Sequence, residues 1–115
     1  MSVDSDLLVM IQSNGLGDGE PDLGEKLMKA WLEQLWESGS VPATMAFLNS
    51  GIFLTTEGSQ VIGTLKDFAN AGTTILSCGT CLAYYDRKDK LLIGEQTNMK
   101  DTVNNMLKFK KILAP

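Results

Sequence analysis

Two thiols three residues apart are the most reactive feature of this chain. Cys78 and Cys81, its only cysteines, lie in Ser77-Cys78-Gly79-Thr80-Cys81-Leu82, just after the apolar run Thr73-Thr74-Ile75-Leu76. The stretch reads as a strand, a sharp turn and the start of a helix. A thiol at a helix N-terminus meets unpaired backbone N–H groups and the positive end of the dipole, and both favour thiolate. Cys78 lies nearest that terminus and is the expected nucleophile, open at the rim of the sheet. Cys81, inside the first turn, is placed to attack a disulfide or persulfide on Cys78. Two buried cysteines acting as small hydrophobes are the plain alternative. Position and spacing together favour chemistry.

Other chemistries are narrowed by what the sequence holds. There is no histidine, which excludes Ser-His-Asp and Cys-His mechanisms within one chain and any His-ligated metal. A structural zinc needs four ligands and the chain offers two cysteines, so neither metal nor cofactor is expected. Thioredoxin-type chemistry is a stronger rival, but that fold sets its CxxC after an early strand and uses a later proline. Here the motif follows a third strand, and beyond Pro42 the only proline is Pro115. Gly15-Leu16-Gly17-Asp18-Gly19-Glu20 fails as a dinucleotide loop because Glu20 stands where the last glycine belongs, and no G-K-[ST] exists. Leu23 and Lys29 likewise spoil a calcium loop starting at Asp18. A loop that helps cover the cleft is expected instead.

The net charge of −4 argues against nucleic acid. That charge is uneven: only Lys26 and Lys29 precede residue 60, and the other cationic side chains follow it. No apolar run is long enough for a membrane helix, and the acidic start Met1-Ser2-Val3-Asp4-Ser5-Asp6 is unlike a signal peptide. With so few cysteines, a reducing, cytoplasmic setting is expected.

The elements that must position the thiols follow from patterning. A single domain over 1–115 is expected. Asp6 to Gln12 is a continuous apolar run suited to a central parallel strand. After the glycine-rich turn 13–22, a helix runs from Asp22 or Leu23 to Ser38. Leu23, Leu27, Met28, Trp31, Leu32 and Leu35 form its inner side, Asp22 its cap and Gly39 its stop. Thr44 to Leu48 is a second strand, with Asn49-Ser50-Gly51 as its turn. A helix over Ser59 to Ala71 stops at Gly72, and Thr73 to Leu76 is the third strand. A short helix covers Cys81 to Tyr85, a brief strand Leu91 to Ile93, a helix Met99 or Lys100 to about Leu107 or Lys108, and a last strand Lys110 to Leu113. Such alternation predicts a three-layer α/β/α sandwich with a mainly parallel sheet of about five strands. Parallel strands put their carboxyl ends on one edge, where open α/β sheets bind ligands. Asn14, Asn49, Gly51, Gly79, Thr80 and Asn98 are therefore expected to line a cleft with the cysteines.

At these residues the chain resembles the DsrE/DsrF-like sulfurtransferase family, and more closely the C-terminal domain of the YedF-type, selenium-metabolism-associated sulfurtransferase-like proteins. The stretches that carry the resemblance are Asp22-Leu23-Gly24-Glu25-Lys26-Leu27-Met28, Phe47-Leu48-Asn49-Ser50-Gly51, Leu54-Thr55-Thr56-Glu57-Gly58-Ser59, Ser77-Cys78-Gly79-Thr80-Cys81-Leu82 and Gly94-Glu95-Gln96-Thr97-Asn98-Met99. The resemblance implies a five-stranded α/β/α domain that assembles as a homo-oligomer, a dimer, trimer or hexamer. It implies a persulfide carried by a cysteine after the third strand, the position of Cys78. Its partners would be sulfur donor and acceptor proteins, TusA-like ones included. YedF-type relatives carry a TusA-like domain with a Cys-Pro-x-Pro motif, and no such stretch occurs in these 115 residues. A relay between proteins is therefore expected, moving sulfane sulfur or selenium. Two alternatives stay open: a thiol–disulfide redox protein using the pair, and a non-catalytic assembly subunit.

Overall fold

Leu7 through Ile11 are all buried, as a strand covered on both faces must be. They belong to β1 (Val3–Ile11), an interior strand in a computed structural model that describes residues 2–115. The other elements are α1 (Pro21–Glu37), β2 (Val41–Phe47), α2 (Ile62–Ala71), β3 (Thr74–Cys78), α3 (Gly79–Tyr84), β4 (Glu95–Thr97), α4 (Met99–Lys108) and β5 (Lys111–Leu113). A 3-10 helix over Asn49–Leu54 follows β2, and a shorter one covers Lys88–Lys90. All strand pairs are parallel, in the order β4-β3-β2-β1-β5. The expected sandwich of about five strands is the observed architecture, and the sheet is wholly parallel.

That order fixes the layers. From β1 to β4 each step moves the same way across the sheet, so right-handed crossovers put α1, α2 and α3 on one face. From β4 to β5 the chain moves the opposite way, which sends α4 to the other face. The larger core lies under the three helices: Val9, Ile11, Met45, Phe47 and Ile75 of the sheet meet Met28, Leu32, Leu65, Phe68 and Leu82. Trp31 and Trp36 pack against it, with Trp36 edge-on to Phe68 at 5.1 Å. A smaller core of Leu8, Met10 and Ala46 is joined by Phe109. Lys111 ties β5 to β1 through an ion pair with Asp4 (2.6 Å), which holds the Asp4 carboxyl below its usual range and the lysine above.

Several boundaries differ from those expected. Leu91 to Ile93 is not a strand of the sheet. Leu91 makes an antiparallel bridge to Thr56, Leu92 N–H donates to Thr55 O and Glu57 N–H to Lys90 O, so the run pairs with the turn after the 3-10 helix. Gly94 (φ +77°) then passes so close to the Ile75 carbonyl that a Cβ would overlap it, and the strand begins at Glu95. An edge strand of Glu, Gln and Thr gives no apolar signal. In α1, Pro21 takes the first helical position and Glu20 the cap, which leaves Asp22 in the first turn where its charge suits the dipole. Leu23 and Leu27 face water because Gly24 is the residue turned inward: Leu16 N–H donates to Gly24 O, and Gly15 abuts Gly24. The glycine-rich loop is thus pinned to α1.

Gly51 is required for a steric reason. A Cβ there would overlap the Ile11 carbonyl oxygen, whereas one at Gly63, on the outer side of α2, would meet nothing. Gly51→Ala is expected to destabilise the protein by about 2 kcal/mol or more, and Gly63→Ala to stabilise it by about 0.5–1 kcal/mol. Urea unfolding of both variants checks the sign of each.

Candidate functional site

Cys78 ends β3 and caps α3. Its backbone is extended (φ −62°, ψ 122°), and Gly79 begins the helix with no connecting loop. Cap and third helical position are the pair whose side chains meet at a helix start, so a C-x-x-C motif placed there brings its sulfurs together. The two thiols lie near enough to influence one another and form no disulfide. Cys78, however, is only 3% exposed. The expectation of an open Cys78 is therefore corrected: the strand carries its last side chain inside, and the helix turns Cys81 outward.

Cys81 is partly exposed and borders an open hollow with Asn49, Thr80, Tyr84 and Tyr85. The Asn49 N–H donates to its Sγ at 3.1 Å. That N–H is available because Asn49 adopts a left-handed backbone (φ +51°), which asparagine tolerates better than most residues. The Asn49 side chain is fixed in turn, its Oδ1 accepting from Ser50 N–H at 2.8 Å and from the Tyr85 hydroxyl at 3.4 Å. Burial, first, pushes the Cys81 thiol up from its ordinary range. The neighbouring Cys78 thiol adds to this, the Asn49 N–H opposes it, and repulsion from a charge on Cys78 raises it further. The accessible sulfur is therefore a protonated thiol at neutral pH.

The expected binding residues divide among three places. Asn49 and Thr80 join Cys81. Gly79, Thr80 and Asn98 line a second hollow with Lys88, Gln96 and Thr97, between the ends of β3 and β4. This is the crevice where one following helix goes to one face and the next to the other, the place where open α/β sheets bind ligands. Asn98 caps α4 there, accepting from Asp101 N–H at 2.8 Å. Asn14 lies elsewhere: its N–H donates to Ser50 Oγ and its side chain to Glu25, in a third hollow. Gly51 is buried and lines none of them. No residue of the 13–20 loop borders the Cys81 hollow, so the loop does not cover the thiols as expected.

Tyr84, Tyr85, Phe53 and Arg87 are the residues that sequence reasoning missed. Tyr85 meets Phe53 in a tilted ring contact at 4.6 Å, and the Arg87 guanidinium lies 4.5 Å from the Phe53 ring centre. Arg87 also donates to Thr56 Oγ1 (3.0 Å) and Glu57 O (2.8 Å). Two adjacent tyrosines just after C-x-x-C were the available signal: a helix turn later, they must stand beside the second sulfur. Among the described residues no group of three or more Cys, Asp or Glu is placed to hold a metal ion, and no helix is long and apolar enough to cross a membrane.

No family model matches the chain, nor does any curated protein. Solved structures do. A protein of unknown function, MTH1491 from Methanobacterium thermoautotrophicum, superposes with a TM-score of 0.69 at 13% identity, covering 97% of this chain and 100% of that one. The fold is DsrE-like. The ychN protein of E. coli agrees, with a TM-score of 0.67 at 14% identity over 97% of this chain and 100% of its own. At such identities the DsrE-like likeness concerns the fold, and chemistry has to be argued from the site.

Burial order predicts labelling order. Iodoacetamide is expected to modify Cys81 at least about tenfold faster than Cys78 in the folded protein. A raised group is still protonated where a free thiol has ionised, so alkylation of Cys81 should climb with pH to a midpoint above that of free cysteine. Cys78→Ala removes two of the causes that raise it and should bring that midpoint down. Peptide mapping across a pH series reads both.

Proposed function

We propose that this chain is a sulfane-sulfur carrier whose working sulfur is Cys81, with Cys78 as the second thiol behind it. The observation that carries the reading is the Cys81 sulfur, open on one side to a hollow and held on the other by the Asn49 N–H at 3.1 Å. The motif resemblance to sulfurtransferases supports a carrier role in general, with the sulfur expected at Cys78. Burial of Cys78 moves the expected carrier role from Cys78 to Cys81.

The chemistry is a thiol–persulfide exchange. The Cys81 thiolate attacks the outer sulfur of a donor persulfide, forming a new S–S bond at Cys81 and breaking the donor's. The donor leaves as a thiolate and takes up the proton that Cys81 lost. The Asn49 N–H, already directed at Sγ, stays in place beside the persulfide. An acceptor thiolate then removes the outer sulfur and returns Cys81 to thiolate. Without an acceptor, the Cys78 thiolate can attack Cys81 Sγ, forming the Cys78–Cys81 disulfide and releasing hydrosulfide; a dithiol reductant resets the pair. Donor and acceptor are proteins bearing their own thiols, TusA-like ones among them, and a selenium atom delivered in the same form would meet the same groups.

A homo-oligomer belongs to this reading. Its support is the apolar edge that α4 leaves in water, with Met99, Val103, Met106 and Leu107 all exposed. Sedimentation equilibrium giving the mass of one chain at every concentration would remove that part.

Proximity of the two sulfurs favours one rival, a dithiol–disulfide redox protein. Mass spectrometry after exposure to a persulfide donor separates the two. The carrier gains about 32 Da at Cys81 in Cys78→Ser, where no second thiol can displace the outer sulfur, and shows no gain in Cys81→Ser. Loss of about 2 Da in the wild type, with no sulfur adduct in Cys78→Ser, would assign the pair to redox chemistry instead.

A further inference from the structure

A third hollow, of about 220 Å³, lies on the far side of the aromatic wall from Cys81. Four charged side chains border it, Glu25 and Lys29 from α1, then Glu57 and Arg87. Two are anionic and two cationic, and none pairs with another: among the described residues the one ion pair joins Lys111 to Asp4. Phe53, Leu54 and Val61 supply an apolar wall. Opposite charges that share a concavity without closing on each other leave room for a ligand carrying both signs.

Arg87 is the fixed point. One guanidinium nitrogen is committed to Thr56 Oγ1 and the Glu57 carbonyl, and the ring of Phe53 holds the plane. A planar donor fork restrained in this way loses little freedom when it binds a carboxylate. On the facing helix, Glu25 is steadied by Asn14, whose amide donates to Oε1 at 3.3 Å. The geometry points to a binding site for a small zwitterion, an α-amino acid with an apolar side chain. Its carboxylate meets Arg87 and Lys29, its ammonium Glu25 and Glu57, and its side chain lies against Phe53, Leu54 and Val61. Phe53 also packs against Tyr85, which borders the Cys81 hollow, so the two hollows share a wall.

The test is a titration of the isotope-labelled full chain with L-methionine, whose thioether takes no part in thiol exchange. Amide resonances of Asn14, Gly58, Ser59 and Gln60 are expected to move and saturate. N-acetyl-L-methionine, which lacks the ammonium, and L-methionine methyl ester, which lacks the carboxylate, should each bind at least about tenfold more weakly. Lys29→Gln and Glu25→Gln change exposed side chains and should weaken the parent ligand in step with the matching analogue. No movement of these resonances up to the solubility limit would overturn the site, as would equal binding of parent and blocked forms. Binding is read without any sulfur transfer, so its failure and that of the carrier reading are told apart.

Discussion

The contact between Gly51 and the end of β1 governs the thiol site. Leu48 N–H donates to the Ile11 carbonyl, and the 3-10 helix then folds so tightly that residue 51 lies against that same oxygen. Only a residue without a Cβ fits there. The close turn sends Asn49 into a left-handed conformation and points its N–H outward, where Cys81 receives it. Such a backbone costs roughly 1 kcal/mol or more for a non-glycine residue. The Ser50 and Tyr85 contacts to the Asn49 side chain help offset that cost. Steric fit in the sheet is thereby transmitted to one sulfur.

Topology decides which sulfur is reachable. β3 lies between β2 and β4, and Cys78 pairs with Thr97 as the last rung of the ladder. Its side chain is covered by the neighbours that make it a strand residue. Cys81 belongs to the helix that follows without a linker, and one turn is enough to carry a side chain to the edge. The same absence of linker places the two sulfurs side by side, so one motif yields a shielded thiol and an open one.

Much of this was legible in the sequence for physical reasons. The uninterrupted apolar run of β1 and the glycine stop at Gly72 (φ +116°) each have one dominant cause; the stop falls where expected, and the strand holds the expected run but starts three residues earlier, at Val3, and ends at Ile11 rather than Gln12. β4 was hidden because Glu95, Gln96 and Thr97 at a sheet edge need bury little. Leu91 to Ile93 misled because Leu91 and Ile93 pack their side chains on the core while the backbone of the run pairs with the turn around Thr56 rather than with the sheet. At the site, Asn49 beside a cysteine was foreseeable from strand ends converging on one edge. The choice of Cys81 over Cys78 was not: it depends on whether a strand's last side chain points inward or out, which periodicity over five residues does not fix. Asn14 shares the edge but is drawn away by Glu25 on α1.

The electrostatics of the Cys81 hollow suit retention more than rapid turnover. Its lining of Asn49, Thr80, Tyr84 and Tyr85 holds no charged side chain, so nothing there lowers the thiol by direct ion pairing. A thiol pushed upward by burial ionises little at neutral pH, and its thiolate, once formed, is a poor leaving group. Both effects slow uncatalysed exchange with small thiols. A partner that brings a positive group to the hollow would reverse them together, favouring thiolate in attack and in departure alike. Under the proposed carrier role, a partner presenting such a charge beside Tyr84 (82% exposed) would set when sulfur moves, and the uncharged hollow would retain the sulfur between encounters.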